Sequence, residues 1–259
     1  MNPDLNAWMQ LIFRWLHVVA GVAWIGHLYF FNWVNGPFAK TMDAATKKAV
    51  VPELMPRALY WFRWGAAWTW ITGILLAGLV YYMGGALFED PQAGGNEGLW
   101  LLIFLAIAIG GFVIYNAVMK AVKNIIAANI IVLVLLAAAW WVMEHIGHFG
   151  GRALYIHAGA LLGTIMAGNV WMIIWPSQKR IITAIKEGTA PDADRVALAA
   201  LRSRHNTFMS VPLIFFMVSN HYPTVYGSPN RDVYAAVILA AGFFLTWLLY
   251  KKSASVKGF

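Results

Sequence analysis

No cysteine occurs in the 259 residues. Its absence excludes disulfides, thiolate metal sites, cysteine-ligated iron–sulfur clusters and a haem attached through C-x-x-C-H. Charge is scarce too: Asp, Glu, Lys and Arg make up 12% of the chain, about half the share of a soluble domain. Hydrophobic residues instead reach 61% and aromatic residues 15%, with a mean hydropathy of +0.63. Such a composition excludes a water-soluble globule, and it excludes intrinsic disorder, which needs low hydrophobicity. No repeat with a period of about 20–50 residues is present. The remaining oddity is a net charge of +8, and its meaning depends on where the basic residues fall.

A helix needs about 20 mostly apolar residues to cross a bilayer core. Trp8–Val34, Ala58–Met83, Leu99–Met119, Ile125–Met143, Ala153–Trp175, His205–Asn220 (with Pro212 inside) and Val233–Tyr250 meet or approach that length. The expected fold is therefore all-α, a polytopic transmembrane bundle of about seven spans, with residues 1–259 forming one domain. Between the fifth and sixth spans, 176–204 is charged and reads as a cytoplasmic amphipathic segment. Val196, Ala197, Ala200 and Leu201 recur there at helical spacing, and Pro191-Asp192 offers a start. Lys40, Lys47, Lys48 and Arg57 follow the first span, Lys120 and Lys123 the third. Lys179, Arg180, Lys186, Arg195, Arg202 and Arg204 follow the fifth, and Lys251, Lys252 and Lys257 the last. Only Arg14, Arg152 and Arg231 mark the other side, with Arg63 inside a span. This bias places the N-terminus outside and the C-terminus inside. The positive surplus is thus topological, and a nucleic-acid partner is excluded. No basic region precedes the first span, so no cleavable signal is expected.

Ionisable groups inside a membrane are costly and face the bundle interior, which makes the 7 histidines informative. His17, His145, His148, His157 and His221 fall in the outer half of the predicted bundle; His27 and His205 lie near the inner face. At a rise of about 1.5 Å per residue, His17 lies roughly 13 Å and His157 roughly 6–10 Å below the outer ends of their spans. Imidazole is a common axial ligand of haem iron. Two rings at similar depth, with Gly21 near one and the Gly159, Gly163, Ala167 ladder beside the other, suit a b-type haem held by His17 and His157, or by another pair from the outer five, His221 among them. The same glycines also suit plain helix packing, and each histidine also suits a hydrogen-bonded structural role.

A second group is Glu144, His145 and His148, with Arg152 beyond. On a continuing helix Glu144 and His148 are four residues apart on one face. The order E-H-x-x-H is not the zincin H-E-x-x-H, so no zinc hydrolase is implied. The group reads either as an acid/base set at an outer pocket or as a polar helix end. Ser219-Asn220-His221-Tyr222-Pro223 closes the sixth span. There Asn220 and Tyr222 offer directional hydrogen bonds and a stacking face for a planar polar ligand. Arg14, one turn above His17, suits a haem propionate or an anionic substrate, or it reaches the headgroups.

These residues carry a resemblance. His17-Val-Val-Ala-Gly-Val-Ala-Trp24-Ile-Gly26-His27, followed by Asn32-Trp33-Val34-Asn35, resembles the first helix of the bacterial membrane-bound urate hydroxylases, the urate oxidase N-terminal family. His148-Phe-Gly-Gly-Arg152, His157-Ala-Gly159, Asn169-Val-Trp171 and Ile174-Trp175-Pro176 are similar to that family's central region. So are Arg204-His205-Asn206-Thr207, Pro212 and Ser219-Asn220-His221-Tyr222-Pro223. The resemblance spans about residues 8–250.

It implies oxidation of urate to 5-hydroxyisourate at the bacterial inner membrane, with electrons passed to a cytochrome c. Urate, or a similar planar anion, would sit near Glu144, His145, His148 and His221, met by Arg152 or Arg14. Electrons would leave through a haem b on His17 and His157. Members of the family typically add one span and a fused cytochrome c domain. These 259 residues contain no cysteine for a covalent haem, which leaves three expectations: the sequence is a piece of a longer protein, the cytochrome is a separate partner, or the urate chemistry has been lost. Two other functions fit the residues: a cytochrome b-like electron-transfer subunit with no substrate of its own, and a transporter or structural subunit without haem.

Overall fold

The computed structural model describes residues 2–256; Lys257 lies outside them. The described residues are mostly helical and contain no β-strand, only one isolated antiparallel bridge between Phe88 and Phe149. The helices are α1 (Pro3–Tyr29), α2 (Gly36–Thr41), α3 (Ala44–Ala77), α4 (Pro91–Gly94), α5 (Glu97–Ala121), α6 (Ile125–Trp141), α7 (Gly151–Gly168), α8 (Trp175–Glu187), α9 (Ala193–Val218), α10 (Pro223–Tyr226) and α11 (Arg231–Ser255).

Side chains start several of them. Asn96 accepts from the Leu99 N–H at 2.9 Å to open α5, and Asn124 accepts from Ile126 and Ala127 to open α6. Such caps satisfy amide hydrogens that have no partner within the first turn. Asp43 caps α3 through the Thr46 N–H at 2.7 Å, and that bond holds its carboxyl below the usual carboxylate range. Asp192 accepts from the Asp194 and Arg195 amides, so α9 starts where Pro191-Asp192 predicts. Gly188, at φ +76°, ends α8 in the left-handed conformation that glycine adopts without strain.

Among the described residues, six helical segments are long and apolar enough to cross a membrane: Pro3–Thr41, Ala44–Tyr82, Glu97–Ala121, Ile125–Ile146, Gly151–Glu187 and Arg231–Ser255. The chain is a multi-pass membrane protein. The short sixth span predicted at 205–220 is the C-terminal part of α9, a continuous 26-residue helix. Its charged first half, with Asp194, Arg195, Arg202 and Arg204, separates it from the other six. The amphipathic stretch is likewise not one element: Gly188 divides 176–204 between α8 and α9.

Four helices widen locally. Phe30–Asn35, Gly78–Tyr82, Val142–Ile146 and Asn169–Ile174 are π-helical, closed by i→i+5 bonds such as Met83 N–H to Gly78 O at 2.8 Å and Gly147 N–H to Val142 O at 2.9 Å. One extra residue in a turn re-aims the side chains that follow, and such segments occur often at functional sites.

The chain forms two compact units. The first comprises the residues up to Arg14, Thr72–Ile165 and Pro212–Leu239. Its core is aromatic, with Tyr81, Tyr82, Phe88, Trp100, Phe104 and Phe149 among the buried residues. The second comprises Trp15–Ile71, Met166–Val211 and the chain from Ala240. A polar seam along α9 holds it together. Asn206 donates to Met166 O at 2.9 Å and accepts from Asn169 at 2.9 Å; Asn32 donates to Ser203 at 2.8 Å and accepts from Tyr250 at 2.8 Å. In a bilayer such bonds fasten helices that gain little from burying apolar surface.

Candidate functional site

His157 lies on α7 and is 1% exposed. Its Nδ1–H donates to Ala153 O at 2.7 Å, one turn back, and Tyr82 donates its hydroxyl to Nε2 at 2.8 Å. The rings of Phe104, Phe149, Tyr81 and Tyr82 surround it edge-on, with centroids 4.5, 5.1, 5.4 and 5.5 Å away. Tyr81 and Tyr82 reach this place because the Gly78–Tyr82 turn is widened at the end of α3.

Tyr81 also faces a second polar group. Its hydroxyl and the Asn220 amide exchange contacts at 3.2 and 3.3 Å. Arg152 Nε donates to Asn220 Oδ1 at 3.3 Å, and its guanidinium lies 5.8 Å from the centre of the Tyr81 ring. Arg14 bears electrostatically on the same hydroxyl. Neither arginine has a carboxylate within ion-pairing distance among the described residues. One guanidinium, one amide and one phenol thus converge with no carboxylate in ion-pairing distance of the guanidinium among the described residues, an arrangement able to take an anion with hydrogen-bonding edges. Tyr222, next in sequence to the exposed His221, is itself 52% exposed.

Arg152 and Asn220, chosen from sequence, therefore come together, and Arg14 reaches the group only through its charge. Tyr81 joins them although nothing in its spacing singles it out; the available signal is the pair Tyr81-Tyr82 just before Gly84-Gly85 at the end of a span. Glu144 is placed differently. It accepts from Arg231 Nε at 2.8 Å and from the Trp140 indole at 3.1 Å, while Arg231 Nη1 donates to Glu89 at 3.0 Å. Trp140 also reaches Asp232 at 3.1 Å. That carboxylate is tied into an ion network.

The predicted pairing of Glu144 with His148 on one helix face does not form. The helix widens over Val142–Ile146 and stops at Gly147, and His148 turns into the left-handed region at φ +52°. His145 is exposed and stacks on Trp141, with centroids 5.2 Å apart and planes at 13°. His148 and His221 are exposed and make no hydrogen bond with another described residue. No group of three or more His, Cys, Asp or Glu among the described residues is placed to hold a metal ion.

His17 belongs to the second unit, where it bonds to the Thr69 backbone; His27 and His205 are in that unit as well. A haem ligated through His157 does not fit the residues around it. Both ring nitrogens are engaged, and iron on Nε2 would have to displace the Tyr82 hydroxyl from an edge-packed aromatic cage. The small residues do not open a slot either. A Cβ on Gly159 would stand 2.9 Å from Met217 and 3.1 Å from Phe216, and one on Gly163 would stand 3.5 Å from Leu213. The ladder is filled by side chains of residues 212–217.

Comparison with known proteins adds one finding. A family model described as urate oxidase N-terminal matches residues 3–48 and 41–257, which is nearly the whole chain. No curated protein and no solved structure matches.

Proposed function

We propose, for a chain that belongs to the urate oxidase N-terminal family, that it is a membrane oxidoreductase which binds urate, or a planar anion of the same shape, at Arg152, Asn220, Tyr81 and Arg14. The observation that carries this reading is the meeting of the Arg152 guanidinium, unmatched by carboxylate among the described residues, with one amide and one phenol, with the Arg14 charge bearing on the same phenol. Urate is a flat anion whose rim alternates N–H and C=O groups. The Asn220 amide offers one acceptor and donors, Tyr81 offers a hydroxyl, and the arginines offset the charge.

The reaction adds water oxygen at the central ring carbon and gives 5-hydroxyisourate; two protons and two electrons leave. His148 and His221, exposed and without a hydrogen bond to another described residue, take up the protons. Glu144, held by Arg231, is not free for that task. The electrons pass to a separate cytochrome c at the exposed edge near Tyr222, on the outer side of the bacterial inner membrane. No step is routed through a haem on His157, whose nitrogens are both bonded.

Calorimetric titration of the detergent-purified protein with urate, followed by urate-dependent reduction of added ferricytochrome c, tests the proposal. Binding and reduction together support it. Absence of urate binding overturns the substrate, and binding without reduction of a c-type cytochrome overturns the acceptor.

A further inference from the structure

We infer that His157 is a positioning residue for the anion site: as a neutral imidazole it clamps Tyr82 and so seats Tyr81 on Asn220. The inference rests on the anion site proposed above. It begins with the direction of two hydrogen bonds. A carbonyl oxygen only accepts, so the 2.7 Å contact with Ala153 O puts the hydrogen on Nδ1. The four aromatic rings of the cage offer no counter-charge to an imidazolium. The ring is therefore neutral, Nε2 is its acceptor, and Tyr82 donates to it at 2.8 Å. The tautomer is fixed by the helix that carries the residue.

Tyr81 and Tyr82 are consecutive, so their side chains diverge by about 100° on an α-helix and somewhat less in a wider turn. Holding Tyr82 against His157 leaves Tyr81 aimed at Asn220 and Arg152. The turn has little freedom to compensate. Gly78 O bonds to Met83 N–H at 2.8 Å. The chain then passes so close over its own helix that a Cβ on Gly84 would lie 2.5 Å from Val80 O. His157 also touches Phe149, whose loop carries His148, and sits little more than a turn beyond Arg152 on α7. One buried ring thus sets the position of the π-helical turn and supports the loop beside it, without reaching the ligand.

Three variants separate this role from a purely structural one and from iron ligation. Tyr82→Phe removes a single oxygen, His157→Gln retains an acceptor on a similar reach, and His157→Leu removes the acceptor. Urate affinity is read by calorimetry, together with the ¹⁵N resonances of the histidine rings and the reduced-minus-oxidised absorption spectrum. Y82F and H157L each weaken urate binding about 3–10-fold, the range for one hydrogen bond. The double variant is no weaker than the worse single one, because both break the same clamp. H157Q retains most of the affinity.

In the unmodified protein, His157 shows a protonated Nδ1 and an accepting Nε2 whose resonance moves in Y82F. Unchanged affinity in Y82F, additive losses, or a haem band that disappears in H157Q would each overturn the inference. Failure of the unmodified protein to bind urate overturns the anion reading alone; the nitrogen resonances then still decide whether the clamp exists.

Discussion

The first unit contains two polar clusters, each built around an arginine. Arg231 meets Glu144 at 2.8 Å and Glu89 at 3.0 Å, and the Trp140 indole joins Glu144 to Asp232. Arg152 meets the Asn220 amide oxygen and both the ring and the hydroxyl of Tyr81, with Arg14 adding a second positive charge. In the first cluster the guanidinium is answered by two carboxylates from within the chain. In the second the charge is all of one sign and the partners are neutral. The same residue type therefore does two jobs: the ion-paired network fastens the fold, and the other arginine, under the proposed function, receives the anion. Proximity to a polar group does not separate the two clusters; whether the arginine meets a carboxylate does.

Breaking the fastening should have the largest effect. Arg231→Met leaves Glu144, with a side chain 11% exposed, without its cation. Truncating one partner of a buried pair costs about 3–5 kcal/mol, and partial exposure reduces that to about 2–3 kcal/mol. A lower melting temperature in detergent, with urate affinity at the folded plateau nearly unchanged, is the expected result. Loss of affinity without loss of stability would merge the two clusters into one site.

Next comes His148, which stands between the clusters in sequence and bonds to neither. Substitution by glycine removes the imidazole and relieves the φ of +52°. H148G should lower turnover about 100-fold, the low end for a lost proton acceptor, while stability holds or rises by roughly 0.5–1 kcal/mol. Parallel loss of both would make the residue part of the fold. On the receiving side, Arg152→Ala removes one charge-assisted contact and should weaken urate binding about 10–100-fold, with a melting temperature close to that of the parent. Unchanged affinity would mean that the unmatched charge serves the membrane headgroups instead.

The contrast was only half legible in the sequence. Apolar length gave the spans, and polar types at the span ends marked Arg14, Arg152 and Asn220. What hydropathy cannot show is a partner 87 residues away, as Arg231 is from Glu144. It also cannot show a helix that widens by one residue. The predicted alignment of Glu144 with His148 assumes an α-helical register, which Val142–Ile146 does not keep. Depth along a span likewise says nothing about where a ring points. The depth expected for His157 carries no sign of its bond to Tyr82 or of its cage, which takes Phe104 and Tyr81 from other helices. Tyr81 is not legible as a site residue, because tyrosines at span ends ordinarily belong to the interfacial belt.

His145 tests the comparison from the other direction, because it touches the matched network without completing it. Its Nδ1 lies 3.9 Å from Glu144 Oε2, beyond hydrogen-bond distance, and 3.3 Å from Trp141 O. The ring stacks on Trp141, itself 53% exposed. Glu144 already has Arg231 on one oxygen and Trp140 on the other, so a further exposed partner adds little, as is usual for surface ion pairs. His145→Ala should therefore change stability by less than about 0.5 kcal/mol and leave urate affinity and turnover within about twofold, a free-energy change of the same size. Thermal melts and turnover assays on H145A and H148G, side by side, measure the difference. If H145A loses turnover and H148G does not, the proton acceptor belongs to the Glu144 side of the molecule, and a network with matched charges would have to be read as catalytic after all.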